Sequence, residues 1–200
     1  MPAPVTLGIP GLEMQAGDHV CAFYGGATRD DVLVPFLDGG LRAGDKCICV
    51  IEDPRSDPLV GLLDPLGEAS VERRQLELFD WGNTYLMDGR FAPDRMVRFW
   101  DDQVAAALGG GGYQFVRVVG EMAWAAGGPP GTEELVAYES ELNRFLPRYP
   151  QVILCLYDIR RFGGELVVDM LKTHPKVVLN GILVDNPYYL EPDEFLASRR

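Results

Sequence analysis

Residues 17–44 read GDHVCAFYGGATRDDVLVPFLDGGLRAG, and this stretch decides the fold. The apolar run from His19 to Tyr24 predicts a β-strand, and two glycines follow it directly. Thr28 to Asp31 resembles a helix N-cap with acidic residues in the first turn, and the apolar residues beyond it recur at helical spacing. The stretch therefore predicts a strand, a glycine-bearing turn and a helix that ends near Gly44.

The rest of the chain repeats this alternation of apolar runs and helical patterns. Further strands are predicted at Lys46–Glu52, Gln75–Phe79, Gln114–Val119, Val152–Tyr157 and Val177–Val184. Further helices are predicted at Asp94–Leu108, Thr132–Leu146 and Gly164–Lys172, and Tyr85–Phe91 has the composition of a loop. Strands that alternate with helices form right-handed βαβ crossovers. We therefore predict one α/β domain, a single doubly wound, mostly parallel sheet flanked by helices.

The composition is that of an acidic globular protein. The 200 residues are 47% hydrophobic and carry 18 basic and 30 acidic side chains, which gives a formal net charge of −12. A surface of this sign repels phosphate backbones and anionic lipids, which argues against direct nucleic-acid or membrane binding. No apolar run approaches the roughly 20 residues of a membrane span, and the proline-rich start is unlike a signal peptide. We therefore expect a cytoplasmic location.

The carboxyl ends of the predicted strands indicate where a ligand would bind. In an open parallel sheet, ligands occupy the crevice outside those ends. Aromatic rings, carboxylates and guanidinium groups occur there together, as in a pocket with apolar walls and a few polar anchors. The candidate ligand-binding residues are Tyr24, Arg29, Glu52, Glu121, Trp124, Asp158 and Arg161. Tyr85 and Phe91 are candidates for a lid over this crevice.

The turn after the first strand resembles a phosphate-binding loop that has lost its defining residues. Residues 24–31 read YGGATRDD and lack both the lysine and the second glycine of the GxxxxGK[ST] pattern. Asp30 and Asp31 would stand where a triphosphate needs the positive end of a helix, which disfavours phosphoryl transfer by the usual route. Arg29 leaves open the binding of a smaller anion.

Catalytic chemistry is weakly indicated. Glu52 and Glu121 could hold Mg²⁺ in a residual nucleotide-binding, ATPase-like enzyme, or could accept hydrogen bonds from a ligand or cap neighbouring loops. The sequence contains no Gly-x-Ser-x-Gly elbow and no recognisable Ser/His/Asp arrangement. We therefore predict no catalytic residue and no cofactor, and we favour a protein that is not an enzyme.

The two histidines fall at the opposite, amino edge of the predicted sheet. His19 opens the first strand and His174 lies in the turn before the last one, away from the crevice. Together with Cys21 and Cys155 they could form a metal set if the strands at 19–24 and 152–157 are neighbours. The His-x-Cys spacing is a weak metal signature, so a structural role is favoured and no metal is predicted.

A series of short segments resembles one family, the MEDS domain, a methanogen/methylotroph sensory domain named after DcmR-type regulators. The resemblance runs from about Gly17 to Tyr189, with its segments in the expected order. They are GDHVCAFY at 17–24, GLRAG at 40–44, Arg117 with GEM at 120–122, YESELN at 138–143, CLYD at 155–158, THP at 173–175 and NPYY at 186–189. Several of these residues also have plain structural interpretations, such as a helical core stripe for Tyr138, Leu142 and Phe145.

The resemblance implies a RecA/KaiC-like core with a degenerate P-loop and a sensory function, proposed for small hydrocarbon-derived or related ligands. It places the domain at 17–190, between an N-terminal extension at 1–16 and a C-terminal tail at 191–200. Such domains are commonly attached to output modules, so we expect this chain either to act through a regulatory or signalling partner in trans or to be one part of a longer regulatory system. Self-association into a homo-oligomer, or a scaffold role through assembly, is a further alternative, since RecA-like domains stack.

Overall fold

The computed structural model describes residues 14–25, 29–179 and 181–198. Its strands are β1 (His19–Tyr24), β2 (Lys46–Ile51), β3 (Leu76–Asp80), β4 (Val116–Glu121), β5 (Gln151–Asp158), β6 (Lys176–Leu179) and β7 (Ile182–Asp185). They form one sheet in the order β3-β2-β4-β5-β1-β6-β7. Every pairing is parallel except that of β6 with β7. The predicted doubly wound, mostly parallel sheet is confirmed.

Helices cover both faces of this sheet. They are α1 (Asp30–Ala43), α2 (Leu59–Leu62), α3 (Gly67–Glu72), α4 (Pro93–Gly109), α5 (Leu135–Phe145), α6 (Gly164–Thr173) and α7 (Pro192–Ser198). Alternate residues of β1, β2, β4 and β5 contribute to two separate apolar clusters, one with α4, α5 and α7 and one with α1 and α2. Strands β2, β4 and β5 are buried at every position, as their nearly continuous apolar sequences predict for strands covered on both faces.

The end of the chain differs from the sequence prediction in two places. The apolar run Val177–Val184 predicts one strand, but it is the hairpin β6–β7, with Gly181 at a positive φ of 75° in its turn. The sequence there reads VVLNGILV, and an Asn-Gly pair between apolar runs is a hairpin signal. Residues 191–200 are predicted to be a polar tail, but α7 forms there and buries Phe195 against the core. The predicted domain boundaries remain a prediction.

Two short helices between β2 and β3 are absent from the sequence prediction. Helices α2 and α3 have four and six residues, too few to show helical periodicity in the sequence. The predicted helix at 132–146 begins with a 3₁₀ turn at Thr132–Glu134 before α5 starts. These elements fill the connections on either side of the sheet and leave its topology unchanged.

Buried polar contacts fix α1 against the sheet. Arg117 on β4 donates through Nε to Asp45 Oδ2 at 2.8 Å and through Nη1 to the carbonyl oxygen of Phe36 at 2.9 Å. Its guanidinium also lies 5.4 Å from the centre of the Phe36 ring. The side chain passes over Gly40, where a Cβ atom would stand only 2.5 Å from Arg117 Cδ. A residue larger than glycine at this point of α1 would therefore displace the arginine.

Candidate functional site

Four of the predicted ligand-binding residues lie at the carboxyl edge of the sheet. Tyr24 ends β1, Glu121 ends β4, Asp158 ends β5 and Glu52 directly follows β2. Because β2, β4, β5 and β1 are consecutive in the sheet, these positions form one row. The parallel-sheet rule thus places the four residues correctly in space, and their role in binding is a separate question.

Arg29 is held by the chain's own acids. Its Nη1 and Nη2 lie 2.6 and 2.9 Å from the two carboxylate oxygens of Asp57, and its Nε lies 2.8 Å from Asp30 Oδ1. Glu121 Oε1 is a further 3.6 Å from Nη1. Burial lowers the pKa of Arg29, but the hydrogen bonds to Asp57 and Asp30 outweigh it and raise the pKa above its ordinary value. The guanidinium is therefore already neutralised.

Glu121 lies between Glu52 and Asp158 in this row. Its Oε2 accepts a hydrogen bond of 3.1 Å from the backbone N–H of Glu52. Burial raises the pKa of Glu121, and the nearby Arg29 only partly offsets that effect. Burial, followed by the charges of Glu121 and Asp158, also raises the pKa of Tyr24 to about 12. The tyrosine therefore stays protonated at neutral pH and can act as a hydrogen-bond donor.

Asp158 pairs with an arginine that the sequence does not single out. Arg160 donates to both of its carboxylate oxygens, at 2.9 and 2.8 Å, and its backbone N–H adds a third hydrogen bond. These hydrogen bonds from Arg160 hold the pKa of Asp158 below its ordinary value. Arg161 is exposed, and its positive charge contributes to lowering the pKa of Asp158 and of Tyr24.

A groove of about 670 Å³ opens at the same edge, over the ends of β2 and β3. Its lining is mostly polar and consists of Glu52, Asp53, Pro54, Arg55, Leu78, Asp80 and Asn83. Asp80 accepts two hydrogen bonds from Asn83, one from its backbone N–H and one from its side-chain amide. Sequence reasoning misses Asp80, although it follows the strand at Gln75–Phe79 and the rule of carboxyl ends applies to that strand too.

Trp124 and the two candidate lid residues pack together in the core. The Trp124 ring stacks on Tyr85 at 5.1 Å between centroids and lies 4.8 Å from Phe91. All three belong to the apolar cluster on the α4 and α5 side, whereas Tyr24 belongs to the cluster on the α1 side. Tyr24 and Trp124 are therefore on opposite faces of the sheet. Within the described chain, Trp124 Nε1 is buried without a hydrogen-bond partner.

The structure also assembles a buried polar cluster that the sequence reveals only in part. His19, Cys155 and His174 come together with Glu139 of α5, and one donor atom from each lies within 4.8 Å of the others. β1 and β5 are neighbours, as the hypothesis of a metal set requires. Cys21 lies opposite Cys155 across the two strands but is not a member of this group. Sequence reasoning misses Glu139, although it occupies the apolar stripe of α5.

The distances within this cluster are short. Glu139 Oε2 lies 3.3 Å from His19 Nε2 and 3.4 Å from His174 Nε2. Cys155 Sγ lies 3.4 Å from His19 Nε2 and 3.6 Å from Glu139 Oε2. Burial and the neighbouring His174 lower the pKa of His19 to about 4, so its imidazole is neutral at neutral pH. The four side chains are almost completely enclosed, with 0–2% of their surface exposed.

The segment at 24–31, whose sequence resembles a phosphate-binding loop, lies partly outside the described residues. Positions 26–28 belong to the undescribed part, so the degenerate turn is known there from its sequence alone. The described remainder has Asp30 and Asp31 in the first turn of α1, as predicted.

Within the described part of the chain, no helix combines the length and hydrophobicity needed to cross a membrane.

The fold is that of RecA-like proteins. The KaiC-like protein PH0186 of Pyrococcus horikoshii superimposes with a TM-score of 0.62 over 88% of this chain and 79% of that one, at 16% identity. The flagellar accessory protein FlaH of Methanocaldococcus jannaschii superimposes with a TM-score of 0.53 over 85% of this chain and 76% of the FlaH chain, at 8% identity. At such identities the likeness concerns the fold alone.

Comparison of the sequence gives more specific information than comparison of the fold. The transcriptional repressor DcmR of Methylorubrum extorquens is 30% identical over 174 residues, which cover 83% of this chain and 61% of that protein. The chain thus spans about three fifths of the length of this relative. A family model described as the MEthanogen/methylotroph, DcmR Sensory domain matches residues 18–175. The chain therefore belongs to the MEDS family of sensory domains and has a sensory or regulatory role.

Proposed function

We propose that this chain is a non-enzymatic sensory domain that binds a small, uncharged or cationic molecule at the carboxyl edge of its sheet. A hydrocarbon-derived compound fits this description. The domain would then pass the signal to a regulatory partner. Membership of the MEDS family and the similarity to a repressor support the sensory part of this proposal. The chemical class of the ligand rests on the electrostatics of the site.

The observation that carries the proposal is the internal neutralisation of Arg29. A phosphate or carboxylate ligand would need this cation, but Asp57 binds it at two points and Asp30 at a third. The remaining groups at the edge are mostly carboxylates, including Glu121 and Glu52. An anionic ligand would therefore meet repulsion, whereas an amine or alcohol could donate hydrogen bonds to these carboxylate oxygens.

The same contacts provide a way to transmit binding. The Arg29–Asp57 pair joins the segment after β1 to the segment after β2, and the hydrogen bond from Glu52 N–H to Glu121 joins β2 to β4. A ligand that competes for Glu121 or Asp57 favours one arrangement of these loops over another. The partner protein then responds if it binds the two arrangements with different affinity.

Residual Mg²⁺-dependent ATP hydrolysis is the competing function. It requires Glu52 and Glu121 to face a metal–phosphate complex, but one carboxylate oxygen of Glu121 already accepts a hydrogen bond from the backbone N–H of Glu52. Arg29 is already paired with Asp57, and the acidic residues in the first turn of α1 would repel a triphosphate. These features favour sensing over hydrolysis.

Native mass spectrometry of the freshly purified chain is the first experiment, because it detects a retained small molecule of any chemical class by its mass. Thermal-shift titrations with short-chain alcohols, aldehydes and amines, and with MgATP, then compare the two functions. We expect stabilisation by a member of the first panel, lost in Glu121→Gln and kept in the exposed control Glu68→Gln. Stabilisation by MgATP together with phosphate release would overturn the proposal, as would equal responses in the two variants.

A further inference from the structure

The cluster of His19, Glu139, Cys155 and His174 brings four possible metal ligands within 4.8 Å of one another. A tetrahedral ion of the zinc class, with ligand distances of about 2.0–2.3 Å, separates its ligand atoms by about 3.3–3.7 Å. Four separations between the donor atoms of this cluster are 3.3, 3.4, 3.4 and 3.6 Å. Four of the six separations therefore match the edges of a coordination tetrahedron, and the other two are within 4.8 Å.

The outer hydrogen bonds aim the histidine lone pairs inward. His19 Nδ1 faces Asn143 Oδ1 at 3.2 Å, and His174 Nδ1 lies 2.8 Å from the carbonyl oxygen of Met170. Asn143 donates its own side-chain N–H groups to backbone carbonyls, which leaves its oxygen towards His19. Both Nδ1 atoms therefore carry the proton, and in a neutral imidazole Nε2 is then a lone pair.

When both imidazoles are neutral, the inner side of the cluster is short of hydrogen-bond donors. His19 Nε2 and His174 Nε2 face the same carboxylate oxygen of Glu139, and His174 Nε2 has no hydrogen-bond partner among the described residues. The other Glu139 oxygen is occupied by the hydroxyl of Tyr157, which donates at 2.7 Å. The Cys155 thiol can supply one proton, which satisfies only one of the acceptors. One divalent cation would accept a lone pair from each of the four ligand atoms at once.

We propose that His19 Nε2, His174 Nε2, Cys155 Sγ and Glu139 Oε2 bind one divalent transition-metal ion of the zinc class. Two imidazoles, a thiolate and a carboxylate suit such an ion, and ligands held by a second hydrogen bond are typical of metal sites. Binding releases the thiol proton of Cys155. Complete burial and four protein ligands make the site a closed, structural one. The ion joins β1, α5, β5 and the turn before β6.

This proposal is independent of the ligand-binding role at the other edge of the sheet. The metal content of the full-length chain, purified without chelators or a metal-affinity step, is measured by plasma mass spectrometry. The chain is also refolded with Co²⁺, whose tetrahedral complexes absorb strongly in the visible and show a thiolate charge-transfer band. We expect about one equivalent of metal per chain and both spectral features.

The variants Cys155→Ala and Cys21→Ala form a matched pair, because both remove a buried thiol from facing positions of adjacent strands. We expect Cys155→Ala to lose the charge-transfer band and Cys21→Ala to keep it. Glu139→Gln, which still accepts from Tyr157, should bind Co²⁺ at least tenfold more weakly. The proposal would be overturned by a wild-type chain that is purified without bound metal and takes up no Co²⁺, or by a charge-transfer band that survives in Cys155→Ala. The wild-type result decides the question even if a variant fails to fold.

Discussion

Arg29 and Asp57 lie 28 residues apart in the chain, and their side chains form a two-point ion pair with N–O distances of 2.6 and 2.9 Å. The pair stands at the start of α1, where the sequence resembles a phosphate-binding loop. An internal carboxylate thus binds the guanidinium that could otherwise bind an anion. Next to the turn whose sequence resembles a phosphate-binding loop, Arg29 thus forms a contact between two loops.

Asp57→Ala should lower the free energy of unfolding by about 1–3 kcal/mol, because it leaves a largely buried guanidinium with weaker partners. The variant also removes the hydrogen bond that Asp57 Oδ1 accepts from the N–H of Leu59. Urea denaturation measures the loss. The exposed ion pair of Asp38 with Arg42 provides the control, since Asp38→Ala should produce no measurable change. Equal losses in the two variants would contradict the importance of the Arg29 contact.

Gly40→Ala should destabilise the chain by about 1–3 kcal/mol, because the new methyl group collides with a side chain that cannot move freely. The Cβ atom would lie 2.5 Å from Arg117 Cδ, and Arg117 is anchored by Asp45 and by the carbonyl of Phe36. Gly109→Ala, at the end of α4, meets no atom within 4 Å and should cause no loss. Thermal unfolding of the two variants side by side checks this difference.

Trp124→Ala should cost about 3–5 kcal/mol of stability, because it removes a ring that is only 4% exposed and packs on Tyr85 and Phe91. Trp124→Phe should cost much less, because the variant keeps an aromatic ring. The indole N–H of Trp124 has no hydrogen-bond partner in the described chain, so its removal breaks no such bond there. Chemical denaturation of both variants gives the comparison. A phenylalanine variant as unstable as the alanine variant would show that the indole nitrogen makes an important contact.

The placement of the carboxyl-edge residues could be predicted from the sequence because it depends only on strand ends in a parallel sheet. The Arg29–Asp57 pair could not, since it joins two loops whose relative position is set by tertiary packing. Likewise, nothing in the sequence tells that Trp124 and Tyr24 face opposite sides of the sheet, because Trp124 follows its strand in an irregular turn.

Glu139 is a different case, because the sequence does contain a signal for it. Leu135, Tyr138 and Leu142 form the buried stripe of α5, and Glu139 stands four residues after the first and three before the last. An ionisable side chain at such a position needs a partner in the core. The periodicity thus predicts a buried glutamate, but only the folded chain shows that its partners are two histidines and a cysteine from other elements.

Glu121→Gln should leave the chain as stable as the wild type or more stable at neutral pH, because burial disfavours the ionised carboxylate and the amide is neutral. The pKa of Glu121 in the folded chain lies above the ordinary value of 4.5, so its stabilising contribution is fully present below 4.5 and is lost as the pH rises through the folded pKa. As the pH falls from neutral towards 4.5, the wild type should therefore gain stability relative to Glu121→Gln.

Urea denaturation of the wild type and of Glu121→Gln across this pH range measures the difference, in which the titration of groups not coupled to Glu121 cancels. A difference that does not change with pH, or a variant that becomes steadily less stable than the wild type as the pH rises, would contradict the expectation. Arg29 and the Glu52 N–H would then stabilise the carboxylate more than burial disfavours it. With the expected result, Glu121 costs stability at neutral pH, which is typical of a residue retained for binding.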